Sequence, residues 1–337
     1  MAAVEYYFEK LNDAQKKAYK DIYNAFRVKS EMVRVPGTLK KEQFIGCIEA
    51  VQYDYPEFFY IDFKTITYRV NPDYYEYTPR YIYCLKEINE KKQRIDERVA
   101  SIVRMINERP RNIYQKCGFL HDYMVKNCTY NDDALKESYN GRSAYSIEGF
   151  FLENTAVCQG IAFAYRYICR ALNIDAVVAR GFSLHPGCRD YERHAWNLIR
   201  VGEAAAFVDV TWDMCLTSKG KVRYDYFFLP DIEMMRDHQY VGYPTCRNLQ
   251  SSYFERAGRQ FLNLEMLEKY VIASLSKREE VLQKGLYLQF KMKNRKENID
   301  EVVDFVRETV KKEIKKGFSS TWSVNDIQSV FEFHIMF

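Results

Sequence analysis

A cysteine at the head of a helical segment, followed by a histidine and an aspartate on strand-like segments, constrains this chain more than any other feature. Cys158 sits in Val157-Cys158-Gln159-Gly160-Ile161-Ala162, and Ile161, Ala164, Tyr165, Ile168 and Leu172 then recur at the spacing of one helix face. Asn173 is a plausible stop, because asparagine tolerates the left-handed conformation that ends many helices. Three strand-length runs follow, at 176–182, 195–201 and 206–211. His194 stands at the start of the second and Asp209 inside the third. The order helix, strand, strand, strand predicts a mixed α+β core.

The same residues suggest chemistry. A thiol is a weak nucleophile until a neighbouring imidazole takes its proton, and a carboxylate can orient that imidazole and steady its charged form. At a helix start the partial positive charge favours thiolate over thiol, and the first backbone N–H groups are free to donate to an oxyanion. Gly160 lets another segment or a substrate approach closely. Asp209 interrupts Phe207-Val208-x-Val210, and a carboxylate among β-branched residues needs a partner. His194 one strand away is a natural one. Cys158 alone also reads as a small buried apolar residue, His194 as a surface residue and Asp209 as a strand end.

Three blocks decide between these readings: Val157-Cys158-Gln159-Gly160-Ile161-Ala162, His194-Ala195-Trp196-Asn197 and Val208-Asp209-Val210-Thr211-Trp212-Asp213. Together they resemble the bacterial transglutaminase-like superfamily, whose core is similar to that of papain-like cysteine peptidases. The resemblance takes in His121-Asp122-Tyr123, Tyr130-Asn131-Asp132 and Tyr226-Phe227-Phe228-Leu229, and so covers roughly residues 100–240. It implies that Cys158 is the nucleophile, His194 the base and acid, and Asp209 the orienting carboxylate. It further implies Tyr130 and the backbone of Gln159 near the oxyanion, with Trp196 and Trp212 at the cleft. Ile161 departs from the aromatic residue expected after Cys-x-Gly, which bears on packing and leaves the chemistry alone.

Outside the core the chain changes character twice. Residues 1–95 read as an N-terminal α/β domain with helices after Asn12-Asp13 and Thr38 and strands at 58–61, 65–70 and 80–85. Ile88, Ile95, Val99, Ile102 and Ile106 then mark the buried stripe of a long charged helix. The catalytic core is expected over 96–245. Residues 246–337 read as a C-terminal α+β domain: Leu286, Leu288, Phe290 and Met292 alternate at strand period, Ile299 to Val310 follow helix period, and Phe331 to Phe337 alternate again. The fold class expected is therefore α+β, a papain/transglutaminase-like core flanked by two accessory domains.

Composition narrows the function. A formal charge of +4 over 337 residues, with the basic residues dispersed, argues against nucleic-acid binding. No apolar run is long enough to span a membrane. Nine cysteines without regular spacing read as reduced thiols, not as a disulfide framework or a zinc clip. If Met1 is the native start the protein is cytoplasmic; if a leader has been removed it is secreted or surface-anchored. The expected activity is thiol-dependent acyl transfer on a peptide or protein amide, with hydrolysis favoured over amine cross-linking. The alternative is a non-catalytic peptide- or glycan-binding or assembly protein on the same fold. The chemistry needs no cofactor, and no calcium-loop pattern is present. Oligomeric state is left open.

Overall fold

The computed structural model describes residues 5–109, 111–136, 141–184, 190–218, 220–248, 252–293 and 295–337. Contacts divide the chain into two compact units: Met1–Gly181 with Arg193–Arg223, and Phe182–Glu192 with Tyr224–Phe337. Helix and strand are mixed in both, as an α+β fold requires.

The first unit opens with a helix at Asp13–Val28, started by a reciprocal cap in which Asn12 takes the Gln15 N–H and Gln15 takes the Asn12 N–H. A second helix, Lys41–Asp54, packs against it. Beside them lies a three-stranded antiparallel sheet, with Tyr74–Thr78 between Val33–Pro36 and Thr67–Val70. Aromatic rings fill the space between helix and sheet, Phe44 stacking on Tyr75 with centroids 4.8 Å apart. The strands expected at 58–61 and 80–85 do not form; Phe58, Phe59 and Tyr60 are buried in a turn, and Leu85 already begins the next helix. Aromatic runs read as strands because both buried turns and strands use large rings, and periodicity over four residues cannot separate them.

The long helix Leu85–Asn107 buries the five residues expected of it, Ile88, Ile95, Val99, Ile102 and Ile106. Helix Ile113–Asn127 follows under an Asn112–Gln115 cap and buries Cys117, Leu120, His121 and Met124. The Cys158 helix runs Cys158–Ala171, and Asn173 just beyond it takes the left-handed conformation with φ 56°. Strand Asp175–Ser183 lies beside Glu192–Val201, which pairs antiparallel with Ala204–Val208. Asn197 on the middle strand donates to the carbonyl of Ala162 in the Cys158 helix at 3.0 Å, tying that helix to the sheet. The N-terminal segment is bound to the same helix through Arg166, whose guanidinium donates to Asp54.

The second unit is built on a four-stranded sheet in the order Gln260–Phe261, Leu286–Met292, Val330–Met336, Ser319–Asn325, with helices Leu264–Ser274 and Ile299–Ile314. Leu288, Phe290, Phe331 and Phe333 face a core that also holds Leu267, Val271, Val302 and Val306. The polar partners in the strand alternation, Gln289 and Lys291, are not solvated: each is 1% exposed. Lys291 instead donates to Glu233 at 2.8 Å, because the segment after Pro230 covers that face within the unit.

Candidate active site

The first turn of the Cys158 helix is held by the loop at residues 143–146. The N–H of Val157 donates to the Ala144 carbonyl at 3.0 Å, and the Gln159 side chain donates to the Tyr145 carbonyl at 3.1 Å. Gly160 is required here, since a Cβ would come within 2.4 Å of the Ala144 oxygen. The close approach that a glycine permits is thus made by the protein's own loop. Cys158 opens the helix, half-buried as a residue.

His194 is the third residue of strand Glu192–Val201, not the residue before it. Its Nε2 lies 2.6 Å from Asp209 Oδ2, and both side chains are buried. The Cys158 thiol is hydrogen-bonded to the His194 side chain and receives the Ala195 N–H. Burial resists ionisation of Cys158, but the charge and hydrogen bond of His194 outweigh it and hold the thiol below its ordinary range. Burial likewise disfavours the imidazolium; Asp209 and then Cys158 overcome it, and His194 is pushed up to about 10.

Asp209 corrects the strand reading of 206–211. The strand Ala204–Val208 stops one residue before Asp209, which caps a short helix, Val210–Leu216, by accepting the Trp212 N–H on Oδ1 at 3.1 Å. The β-branched Val208, Val210 and Thr211 mask an aspartate followed by a short helix. Trp196 and Trp212 are buried, 1% and 7% exposed, and both pack on the imidazole: the Trp196 ring is stacked at 5.6 Å and the Trp212 ring tilted at 6.0 Å.

Tyr130 pairs with Ala156 through the short parallel strands Thr129–Tyr130 and Thr155–Ala156. Burial and then the charge of nearby Cys158 raise its hydroxyl well above the ordinary range, so it stays protonated and able to donate. Sequence reasoning gave no role to a second pair. His121 Nε2 meets Asp213 Oδ2 at 2.9 Å, with both side chains fully buried. The signal was present, since Asp213 lies one helical turn after Asp209, but its partner is distant in the chain. Cys188, the exposed thiol expected on the loop after Pro186, lies outside the described residues. Among the described cysteines, only Cys84 and Cys215 are exposed.

Residues 100–212 match the model of the transglutaminase-like superfamily. This segment is a transglutaminase-like domain. It contains Cys158, His194 and Asp209, with Tyr130, Trp196 and Trp212. Among solved structures the chain is similar to one described as a TGase, with 13% identity, 43% of each chain covered and a TM-score of 0.31. A putative cysteine protease from Cytophaga hutchinsonii matches with 17% identity over 44% of this chain and 61% of that one, TM-score 0.28. Menin, in a structure described as revealing its binding site for the Mixed Lineage Leukemia protein, matches with 12% identity over 68% and 53%, TM-score 0.26. The match spans less than two thirds of the length of each of these structures. No curated protein matches the chain. Among the described residues, no helix is long and apolar enough to cross a membrane.

Proposed function

We propose that the transglutaminase-like domain is a thiol-dependent acyl-transfer enzyme acting on peptide or protein amides. The observation that carries this reading is the continuous contact from the Cys158 thiol through the His194 ring to the Asp209 carboxylate. The Cys158 thiolate attacks the amide carbon, and the helix-start N–H groups and the Tyr130 hydroxyl donate to the oxyanion that forms. His194, protonated, gives its proton to the departing amine as the C–N bond breaks. A thioester on Cys158 remains. Water, deprotonated by His194, attacks the thioester, and the thiolate leaves to restore the resting pair. Asp209 keeps the imidazole in the tautomer and orientation that both steps need.

Hydrolysis is favoured over amine transfer, because cross-linking requires an amine admitted while water is excluded, and among the described residues no arrangement specific to that task stands out. Residues 1–95 and 246–337 serve as accessory domains to the 96–245 core, and no cofactor takes part. The deciding experiment traps the acyl-enzyme with a peptide library and reads the adduct by mass spectrometry. A thioester-sized adduct on Cys158, lost in Cys158→Ala, supports catalysis. Peptide retention that survives Cys158→Ala without turnover would instead indicate a binding protein.

A further inference from the structure

The acyl-transfer reading leaves the buried His121–Asp213 pair unused. Desolvating two charges costs several kcal/mol or so per ion, and such pairs seldom stabilise a fold better than apolar residues of the same size. Its location suggests why it is there. His121 belongs to helix Ile113–Asn127 and Asp213 to helix Val210–Leu216, the short helix that Asp209 caps. That helix has seven residues, too few to hold a direction through its own hydrogen bonds, so tertiary contacts must set it. The Asp213 N–H donates to the Asp209 carbonyl at 3.3 Å, while the Trp212 N–H takes Asp209 Oδ1. Whatever anchors Asp213 therefore anchors Asp209.

We infer that His121 and Asp213 are a positioning pair: by fastening helix Val210–Leu216 to helix Ile113–Asn127 they aim the Asp209 carboxylate at His194 and keep Cys158 ionised. The inference rests on the acyl-transfer reading of Cys158, His194 and Asp209. Asp213 faces the His121 ring at Nε2, and Asp122 on its own helix lies 3.4 Å from Nδ1. Burial opposes a charge on His121, yet the two carboxylates prevail and push it up to about 9, so the contact is an ion pair near neutrality. Neither His121 nor Asp213 is assigned contact with substrate; they act through Asp209.

The test is the pH dependence of alkylation at Cys158 in the full chain, read site by site by mass spectrometry with iodoacetamide, for wild type, Asp213→Asn and His121→Gln. The expected result in both variants is a midpoint raised by about one pH unit, so that the rate measured below the wild-type midpoint falls about tenfold. The rate at pH 10, where the thiol is ionised regardless, and the rate at Cys84 should stay as in wild type. General loosening of the fold would alter the plateau and the control thiol as well. Folded variants with an unshifted midpoint overturn the inference, and so does loss of fold in both, which would make the pair purely structural. A wild-type midpoint in the ordinary thiol range would instead bring down the acyl-transfer reading itself, and the inference with it.

Discussion

Asp209 holds His194 with one carboxylate oxygen and the start of a helix with the other: Oδ2 lies 2.6 Å from the imidazole and Oδ1 accepts the Trp212 N–H at 3.1 Å. Orientation of the His194 ring and capping of Val210–Leu216 thus fall to the two oxygens of one carboxylate. An asparagine would keep the cap, since Asn and Asp serve almost equally there. It would change the other contact, because an amide can present its NH₂ to Nε2 and favour the wrong tautomer.

Asp209→Asn should accordingly lower kcat by about 10³- to 10⁴-fold with little change in thermal stability. Asp209→Ala should do the same and also cost about 1 kcal/mol of stability through the lost cap. Steady-state hydrolysis of a peptide amide found by the trapping screen, beside thermal melts, reads both effects. Turnover of the Asn variant within tenfold of wild type would show that Asp209 does not orient the base.

Reactivity should separate the thiols by pH. Cys158 is held below its ordinary value, so it should alkylate readily at pH 6 to 7. Cys215 is exposed, but burial of its sulfur and then the charge of Asp209 push it up to about 12, so its rate should climb only in alkali. His194→Ala should move the Cys158 profile upward. Parallel profiles for Cys158 and Cys215 in the wild type would remove the physical support for a paired thiolate.

Stability should decline between about pH 6.5 and 9. His121 is pushed up to about 9 and His194 to about 10 in the folded chain, against about 6.5 when unfolded. Between about pH 6.5 and 8.5 the extra proton on folded His194 is offset by the one Cys158 has given up, so the excess of bound protons is carried by His121, and unfolding free energy falls as pH rises. Below the unfolded value the contribution is complete; it is lost as pH climbs through the folded values. Melting temperatures should drop roughly several degrees from pH 6.5 to 9.5, and His121→Gln should flatten the slope. A midpoint that rises across this range contradicts the sign.

Gly160→Ala tests the loop that seats Cys158. The added methyl meets the Ala144 carbonyl at 2.4 Å, a backbone atom that cannot swing aside like a side chain. A cost of about 1–3 kcal/mol is expected, together with slower alkylation of Cys158 as the helix start shifts. Chemical denaturation and the same mass-spectrometric assay measure the two; a neutral substitution would mean that the 143–146 loop gives way freely.

Legibility followed the range of the interactions. The Cys158 helix could be read because Ile161, Ala164, Tyr165, Ile168 and Leu172 repeat at its period and Asn173 ends it, all local signals. The strands Leu286–Met292 and Val330–Met336 could be read for the same reason, since alternating residues reach a single core. What stayed hidden depends on pairings between distant segments. His121 and Asp213 are 92 positions apart, so neither predicts the other. Ser319–Asn325 lacks alternation because most of its side chains are exposed, and its strand geometry comes from pairing with Val330–Met336. The burial of the polar face of Leu286–Met292 was not readable either, because local patterning cannot reveal a covering segment that carries Glu233.

The bond from the Gln159 side chain to the Tyr145 carbonyl has a bearing on genetics. With that amide engaged, the donors that the first helical turn offers a reacting carbonyl belong to the main chain, which every residue except proline supplies alike. Codon changes leave such donors untouched, so a scan of side chains that registers Cys158, His194, Asp209 and Tyr130 passes over them. Replacing the peptide link between Val157 and Cys158 by an ester, which deletes one N–H and alters no side chain, is the edit that reaches them.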